Sequence, residues 1–333
     1  MNETALAFML SAPTVMIQDA IPVTAKYLNA YDNIAASISG GADSDIMLDM
    51  VSRLDAEKKV RYVFFNTGLE MQATKEHIER LKAKYGVEIE EIKPEKPVAY
   101  AVRKRGYPFY SKLFSEYIYR LQKHGFKWED RPFDELYAEY PKCKAALKWW
   151  CNTWKEGPHR PMQTEIGSAL YMKEFMVQNP PTFLISPYCC DNAKKAPAKK
   201  ASKDADLTLI GIRRAEGGAR AKAYSSCFID NKKSGKQHFP LFWFDDYDKL
   251  AYEETYGVTH SDAYTVYGCK RTGCAGCPFG SRFEDELAML DEHEPKLAAA
   301  VRNIFAPSYE YTRAYRKFRD EMKAAEKKPD ENE

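Results

Sequence analysis

Six consecutive residues, Ser39-Gly40-Gly41-Ala42-Asp43-Ser44, have the types and order that bind phosphate. Two glycines let the main chain approach an anion closely. The Asp and Ser then open a helix whose first N–H groups are unpaired and lie at the positive end of its dipole. Asp43 or Ser44 is expected to cap that helix. Cysteines form a second set: Cys189 and Cys190 are adjacent, and Cys274-Ala275-Gly276-Cys277 is a C-x-x-C turn followed by Pro278. Thiolates are soft ligands that suit an iron–sulfur cluster, with zinc as the alternative. Cys269, four residues of spacing before Cys274, is a rival for one of the tandem pair, and some thiols can equally be small buried hydrophobes. Arg213, Arg214 and Arg220 make a third set, in a glycine-containing stretch after an apolar run. Guanidinium forks bind oxygen pairs of phosphate or sulfate, and a solvated basic turn is the plain alternative.

These groups need elements to hold them. Asp32–Ile38 reads as a strand leading into the loop, and Ile46, Met47, Met50, Val51 and Leu54 mark one buried face of the following helix. Val60–Phe65 is a second strand, ending in Asn66-Thr67-Gly68. The spacing then predicts a helix over Gln72–Tyr85 and a strand over Val87–Ile92. Alternating strands and helices make a parallel α/β sheet, whose ligands bind at the carboxyl ends of its strands. Asp206–Ile212 reads as a further buried strand. Between Pro94 and Pro187 the pattern becomes helical, with helices expected over Ser111–Lys123 and Lys144–Trp154. Trp149, Trp150 and Trp154 read as packing residues in preference to a base-stacking platform. The expected organisation is an N-terminal part (1–93) and a C-terminal part (188–319) of one α/β domain, a helical insertion (94–187), and a charged, disordered tail (320–333).

Composition narrows the class. A hydrophobic fraction of 44% is ample for a packed core, and a net charge of +2 gives no bulk argument for nucleic acid. Locally, Lys194, Lys195, Lys199, Lys200 and Lys203 read either as a contact for a tRNA or DNA backbone or as a solvated loop. No apolar run approaches the roughly 20 residues that span a bilayer. Ala5–Leu10 follows Glu3, and no basic residue precedes Lys26, so the segment lacks the charge pattern of a secretory leader. The expected location is cytoplasmic. Eight cysteines in that compartment point to metal or redox chemistry before disulfides.

The hexapeptide resembles the SGGxDS pyrophosphate loop of the ATP pyrophosphatase (PP-loop) superfamily, with Ala42 where sulfate-assimilating relatives often carry lysine. Asn66-Thr67-Gly68 resembles the DTG turn of sulfonucleotide reductases, with Asn in place of Asp. Cys189-Cys190 with Lys195 and Pro197, then Gly211-Ile212-Arg213-Arg214 with Arg220, then the C-x-x-C, resemble the phosphoadenosine phosphosulfate (PAPS) reductase family. Within it they look most like the [4Fe–4S] adenylylsulfate-reductase branch and the related phage and prophage proteins. The resemblance implies a Rossmann-like, adenine nucleotide alpha-hydrolase-like fold with a cysteine-rich C-terminal region. It implies ATP or a sulfonucleotide at Ser39, Gly40, Gly41, Asp43, Ser44, Asn66, Thr67, Gly68, Arg213, Arg214 and Arg220. Mg²⁺ would bridge the phosphates, with Asp43 as a contributor, and Cys189, Cys190, Cys274 and Cys277 would hold the cluster. A thiol reductant or sulfur-donor protein would be the partner. The family's reductases attack with a separate C-terminal cysteine, and no cysteine follows Cys277 here. Cys143, Cys151 and Cys227 are the remaining nucleophile candidates. ATP-dependent adenylylation and thiolation of tRNA or DNA is therefore carried as a second expectation, and a non-catalytic nucleotide-binding module as a third.

Overall fold

A computed structural model describes residues 3–155, 157, 160–217, 223–231 and 235–326. The chain divides into two compact units. The first comprises residues 1–95 and 193–275, the second residues 96–192 and 276–333.

The first unit is built on a six-stranded sheet. Its strands are β1 (Ile34–Ile38), β2 (Val60–Phe65), β3 (Ile89–Ile92), β4 (Leu207–Ile210), β5 (Phe228–Asn231) and β6 (Gly235–His238), in the order β3-β2-β1-β4-β6-β5. All neighbours are parallel except β5 and β6, which pair antiparallel. β1 lies between β2 and β4 and is buried over nearly its whole length, which is why Ile34-Ala35-Ala36-Ser37-Ile38 reads as a continuous apolar run rather than an alternating one. The helices Ala42–Leu54 and Gln72–Tyr85 cross over between β1, β2 and β3. They bury Ile46, Met50, Ile78 and Leu81 in one core with Ile17, Ile21 and Leu28 of the helix Val15–Ala30. This is the Rossmann-like α/β architecture expected. Its consequence is topological: the chain turns to β2 on one side of β1 and to β4 on the other, so the carboxyl ends of β1 and β4 form the switch point where open α/β sheets bind ligands.

The second unit is helical and aromatic. Trp149 and Trp150 are fully buried with Phe109, Phe114, Phe175 and Tyr315. Trp150 Nε1 donates to the Glu129 carbonyl at 2.9 Å, so the indole is a satisfied packing group. Ser111 caps the helix Lys112–Lys123 by accepting the Phe114 N–H. Three expectations are corrected here. The helix expected over Lys144–Trp154 ends at Trp150, because Asn152 takes a left-handed φ of +54° and the Glu165 carboxylate binds the Trp154 N–H. The block 188–319 divides after Ala275, since Phe283–His293 and Pro295–Glu326 pack on each other through Phe283 and Tyr309. The charged segment is helical through Glu326, where Asp320, Glu321 and Lys323 sit among good helix formers; residues 327–333 lie outside the described residues. Among the described residues no helix is long and apolar enough to cross a membrane.

Candidate functional site

β1 ends at Ile38, and the chain then turns through Gly40 with a φ of +65°. A Cβ at Gly40 would stand 2.8 Å from Thr74 Cγ2, so both backbone and space require glycine. Gly41 is the N-cap residue of the helix Ala42–Leu54. Neither Asp43 nor Ser44 caps it, contrary to the sequence expectation, because the Gly41 carbonyl already accepts the Ser44 and Asp45 N–H groups and the helix starts earlier. Ser44 Oγ instead donates to the Gly41 carbonyl at 2.8 Å and accepts the Ser39 N–H at 3.2 Å, which stiffens the loop. The Gly41 and Ala42 N–H groups make only long bonds, 3.3 Å to Ser39 Oγ and 3.4 Å to the Tyr264 hydroxyl. Bonds at that length are weak, and an anion's oxygen displaces them at little cost.

The end of β4 meets this loop closely. A Cβ at Gly211 would lie 2.8 Å from the Asp43 carbonyl oxygen. Between them opens a cavity of about 270 Å³, walled by the loop and Gly211 and bordered by Lys249, Lys270, Arg271 and Thr272. Larger cavities lie beside Arg61 and Glu90 and against Ala35 and Ile210. Neither combines loop main chain with converging cations, so chemistry and not size selects the site. Of the expected arginines, Arg213 lines the cavity and is buried: Nε donates to Asp43 at 2.9 Å, and Nη1 to Asp246 at 2.9 Å and the Asp245 carbonyl at 3.1 Å. It fixes the loop. Arg214 is exposed, with its guanidinium 5.7 Å from the Trp243 ring centre, and does not border the cavity. Arg220 lies outside the described residues. Burial pushes the Asp43 carboxyl up, against the pull of Arg213 and Lys249.

Behind the loop a chain of hydrogen-bonded acidic and imidazole side chains packs against the helix. Asp45 Oδ2 pairs with His77 Nε2 at 3.0 Å and His260 Nδ1 at 2.9 Å, and His260 Nε2 pairs with Glu253 at 2.8 Å. Burial opposes charge on His260, but hydrogen bonds to Asp45 and Glu253 outweigh it and push the imidazole up to about 9. Sequence reasoning missed Lys249, His260, Tyr264 and Lys270–Thr272. The basic pair Lys270-Arg271 stands just before Cys274 between glycines, which was a readable signal. Lys249 lies among Asp246, Asp248, Glu253 and Glu254 and looked like an ordinary charged helix face.

The turn after β2 is a different object. Thr67 Oγ1 donates to Glu70 at 2.8 Å, and the Gly68 N–H donates to Asn66 Oδ1 at 2.8 Å and to Glu70 at 3.2 Å. Asn66, Thr67 and Glu70 are all buried. This turn does not border the cavity; Thr67 Oγ1 instead lies 3.4 Å from Cys274 Sγ, and the Leu69 carbonyl accepts the Ala275 N–H at 2.7 Å. All eight cysteines are thiols. Gly276, inside the C-x-x-C, has a φ of +61°, and a Cβ there would meet Tyr309 and Val301 below 3 Å, so the turn admits only glycine. The donor chemistry of four thiols fits an iron–sulfur cluster or zinc. Among the described residues, however, no three of His, Cys, Asp or Glu are gathered as a metal site. Cys143 and Cys151 point at the carbonyls of Arg120 and Arg131, and burial raises both thiols, Cys151 to about 11. That suits packing and not nucleophilic attack.

Residues 33–125 match the family model of the phosphoadenosine phosphosulfate reductase domain. The match covers the loop and the Asn66–Gly68 turn and ends before the tandem cysteines. No curated protein matches the chain. Among solved structures, PAPS reductase from Candida auris in its phosphate complex is similar at 14% identity, covering 82% of this chain and 96% of that one with a TM-score of 0.43. The U34-tRNA thiolase NcsA from Methanococcus maripaludis with its [4Fe–4S] cluster is similar at 14% identity, over 91% and 80% of the two chains, with a TM-score of 0.35. The NH3-dependent NAD synthetase from Campylobacter jejuni is similar at 10% identity, over 89% and 96%, with a TM-score of 0.36.

Proposed function

We propose that this chain is a nucleotide-dependent enzyme of sulfur metabolism that binds ATP by its phosphates, or a sulfonucleotide by its phosphosulfate, at the carboxyl ends of β1 and β4. The observation that carries the reading is the convergence of the Ser39–Ser44 main chain with Lys249, Lys270 and Arg271 on one cavity at the switch point. Backbone N–H groups at a helix start and flexible cations suit a pyrophosphate better than any neutral ligand. The PAPS reductase domain match over residues 33–125 favours an adenylyl nucleotide.

With ATP, the chemistry would be cleavage between the α and β phosphates. An acceptor oxygen attacks the α phosphorus, pyrophosphate leaves, and the acceptor becomes an AMP ester ready for displacement. The loop amides and the three cations stabilise the charge growing on the leaving pyrophosphate, and Arg213 keeps Asp43 and the loop in register with β4. Mg²⁺, held in part by Asp43, would neutralise the phosphates. Cys189, Cys190, Cys274 and Cys277 would hold a [4Fe–4S] cluster, which supplies soft, sulfur-based chemistry when bound.

Anaerobically purified protein is assayed with ATP, adenylylsulfate and PAPS, alone and with tRNA or DNA, for pyrophosphate, AMP and sulfite, beside iron, sulfide and zinc analysis. Pyrophosphate release that depends on a nucleic acid supports thiolation; sulfite release supports sulfonucleotide reduction. Nucleotide binding without either product would reduce the protein to a binding module. About four irons and four sulfides per chain, lost in Cys274→Ala, would establish the cluster, whereas one zinc and no sulfide would remove it.

A further inference from the structure

Two cations border the Asp43 side of the cavity, and they are held in opposite ways. The Arg213 guanidinium is closed on Asp43 and Asp246 at 2.9 Å each. The Lys249 ammonium makes longer ion pairs, 4.0 Å to Asp43 and 3.6 Å to Glu253. It is also the less solvated of the flexible cations there: its side chain is 25% exposed, against 75% for Arg271. A partly desolvated ammonium shared between two carboxylates at long range gives up less than the Arg213 fork would in turning toward a stronger acceptor. Glu253 holds it weakly because Glu253 is already shared: its Oε1 binds His260 Nε2 at 2.8 Å, and His260 Nδ1 is anchored on Asp45 in the first turn of the loop helix.

We propose that Lys249 is a transferable cation that grips the phosphate oxygens of a diphosphate in this cavity, and that His260 keeps it available by occupying Glu253. Lys249 is then a binding residue, and His260 and Glu253 are positioning residues. The inference rests on the reading of the cavity as a diphosphate site. Without the His260 hydrogen bond, Glu253 would close on Lys249 and draw the ammonium away from the ligand.

The test is calorimetric binding of inorganic pyrophosphate, and separately of ATP, to the full chain and to Lys249→Gln, Lys249→Arg, His260→Gln, Glu253→Gln and the His260→Gln/Glu253→Gln pair. Thermal unfolding of each variant checks that it is folded. Lys249→Gln should weaken pyrophosphate about 10- to 100-fold, as expected for loss of one charge-assisted bond, with Lys249→Arg retaining part of the affinity. His260→Gln should weaken it several-fold, and the double variant should recover most of that loss. A merely structural histidine would show no recovery, which would overturn the positioning role. Equal affinity in folded Lys249→Gln and the unaltered protein would overturn the inference while leaving the cavity reading intact. If the unaltered protein binds neither pyrophosphate nor ATP, the cavity reading falls and takes this inference with it.

Discussion

The turns that end β1 and β2 look alike in sequence and differ in what they do with their donors. Both follow a buried apolar strand, and both turn through a glycine of positive φ, Gly40 at +65° and Gly68 at +85°. The β1 turn leaves the Gly41 and Ala42 N–H groups in long bonds beside a cavity bordered by lysine and arginine. The β2 turn spends its donors on itself, with Gly68 bound to Asn66 and Glu70, and Thr67 closed on Glu70. Two turns at the carboxyl ends of parallel strands therefore leave their main chain in different states. The difference lies in whether the local side chains have already satisfied the main chain.

The most severe way to challenge this contrast is to remove Arg213. Arg213→Ala leaves Asp43 without its closest cation in a partly buried place and unties the loop from Asp246. The expected cost is about 3–5 kcal/mol in denaturant unfolding, with pyrophosphate affinity falling more than tenfold in whatever protein remains folded. Glu70→Gln, the matching change in the β2 turn, should cost less and leave pyrophosphate affinity unchanged. Loss of pyrophosphate binding in folded Glu70→Gln would break the comparison, because the closed turn would then be serving the ligand too.

The β1 turn also rests on a titrating support. His260 is held between Asp45 and Glu253, with His77 on the other side of Asp45, Lys249 beyond Glu253, and the Tyr264 ring 6.0 Å away. Its folded pKa of about 9 lies above the ordinary 6.5, so its contribution is complete below pH 6.5 and is lost as pH rises through 9. Stability should fall by about 2 kcal/mol between pH 7 and 9.5, and His260→Gln should flatten that arm. His238 supplies the opposite arm. Burial lowers it to about 4, so its neutral burial favours folding above pH 6.5 and costs stability as pH falls from 6.5 toward 4. Urea midpoints across this range would separate the two. An unchanged alkaline arm in His260→Gln would show that the support titrates elsewhere.

Much of this was legible because the residues concerned interact locally. β1, β2 and β4 are apolar runs ended by glycine turns, and the helix Gln72–Tyr85 has both ends where the pattern puts them. The loop was readable because only glycine fits at Gly40 and Gly211. β5 and β6 were not read: they are four residues each, partly polar, and defined by pairing with each other at the sheet edge. The roles of Arg213 and Lys249 were equally hidden. Arg213 lines the cavity as the sequence suggests, but its bonds to Asp43 and Asp246, 170 and 33 residues away in sequence, could not be read from the chain. The helix carrying Lys249 shows charges on a common acidic background, and only its position against the loop makes one lysine special.

The mildest change isolates the contrast best. Gly68→Ala asks the β2 turn for a left-handed alanine, but no atom lies within 4 Å of the added Cβ. The cost is backbone strain alone, about 1 kcal/mol, and pyrophosphate affinity should not move. At Gly40 the same substitution carries similar strain and also drives a methyl against Thr74 Cγ2 at 2.8 Å, on the helix that braces the loop. Relief of that contact by movement of the loop would shift the neighbouring Gly41 and Ala42 amides, and pyrophosphate affinity is expected to fall even where the protein stays folded. Paired binding and unfolding measurements on the two alanine variants therefore distinguish a turn that presents its amides from one that only closes a strand. Equal losses of affinity at both positions would mean that the two turns act as one site.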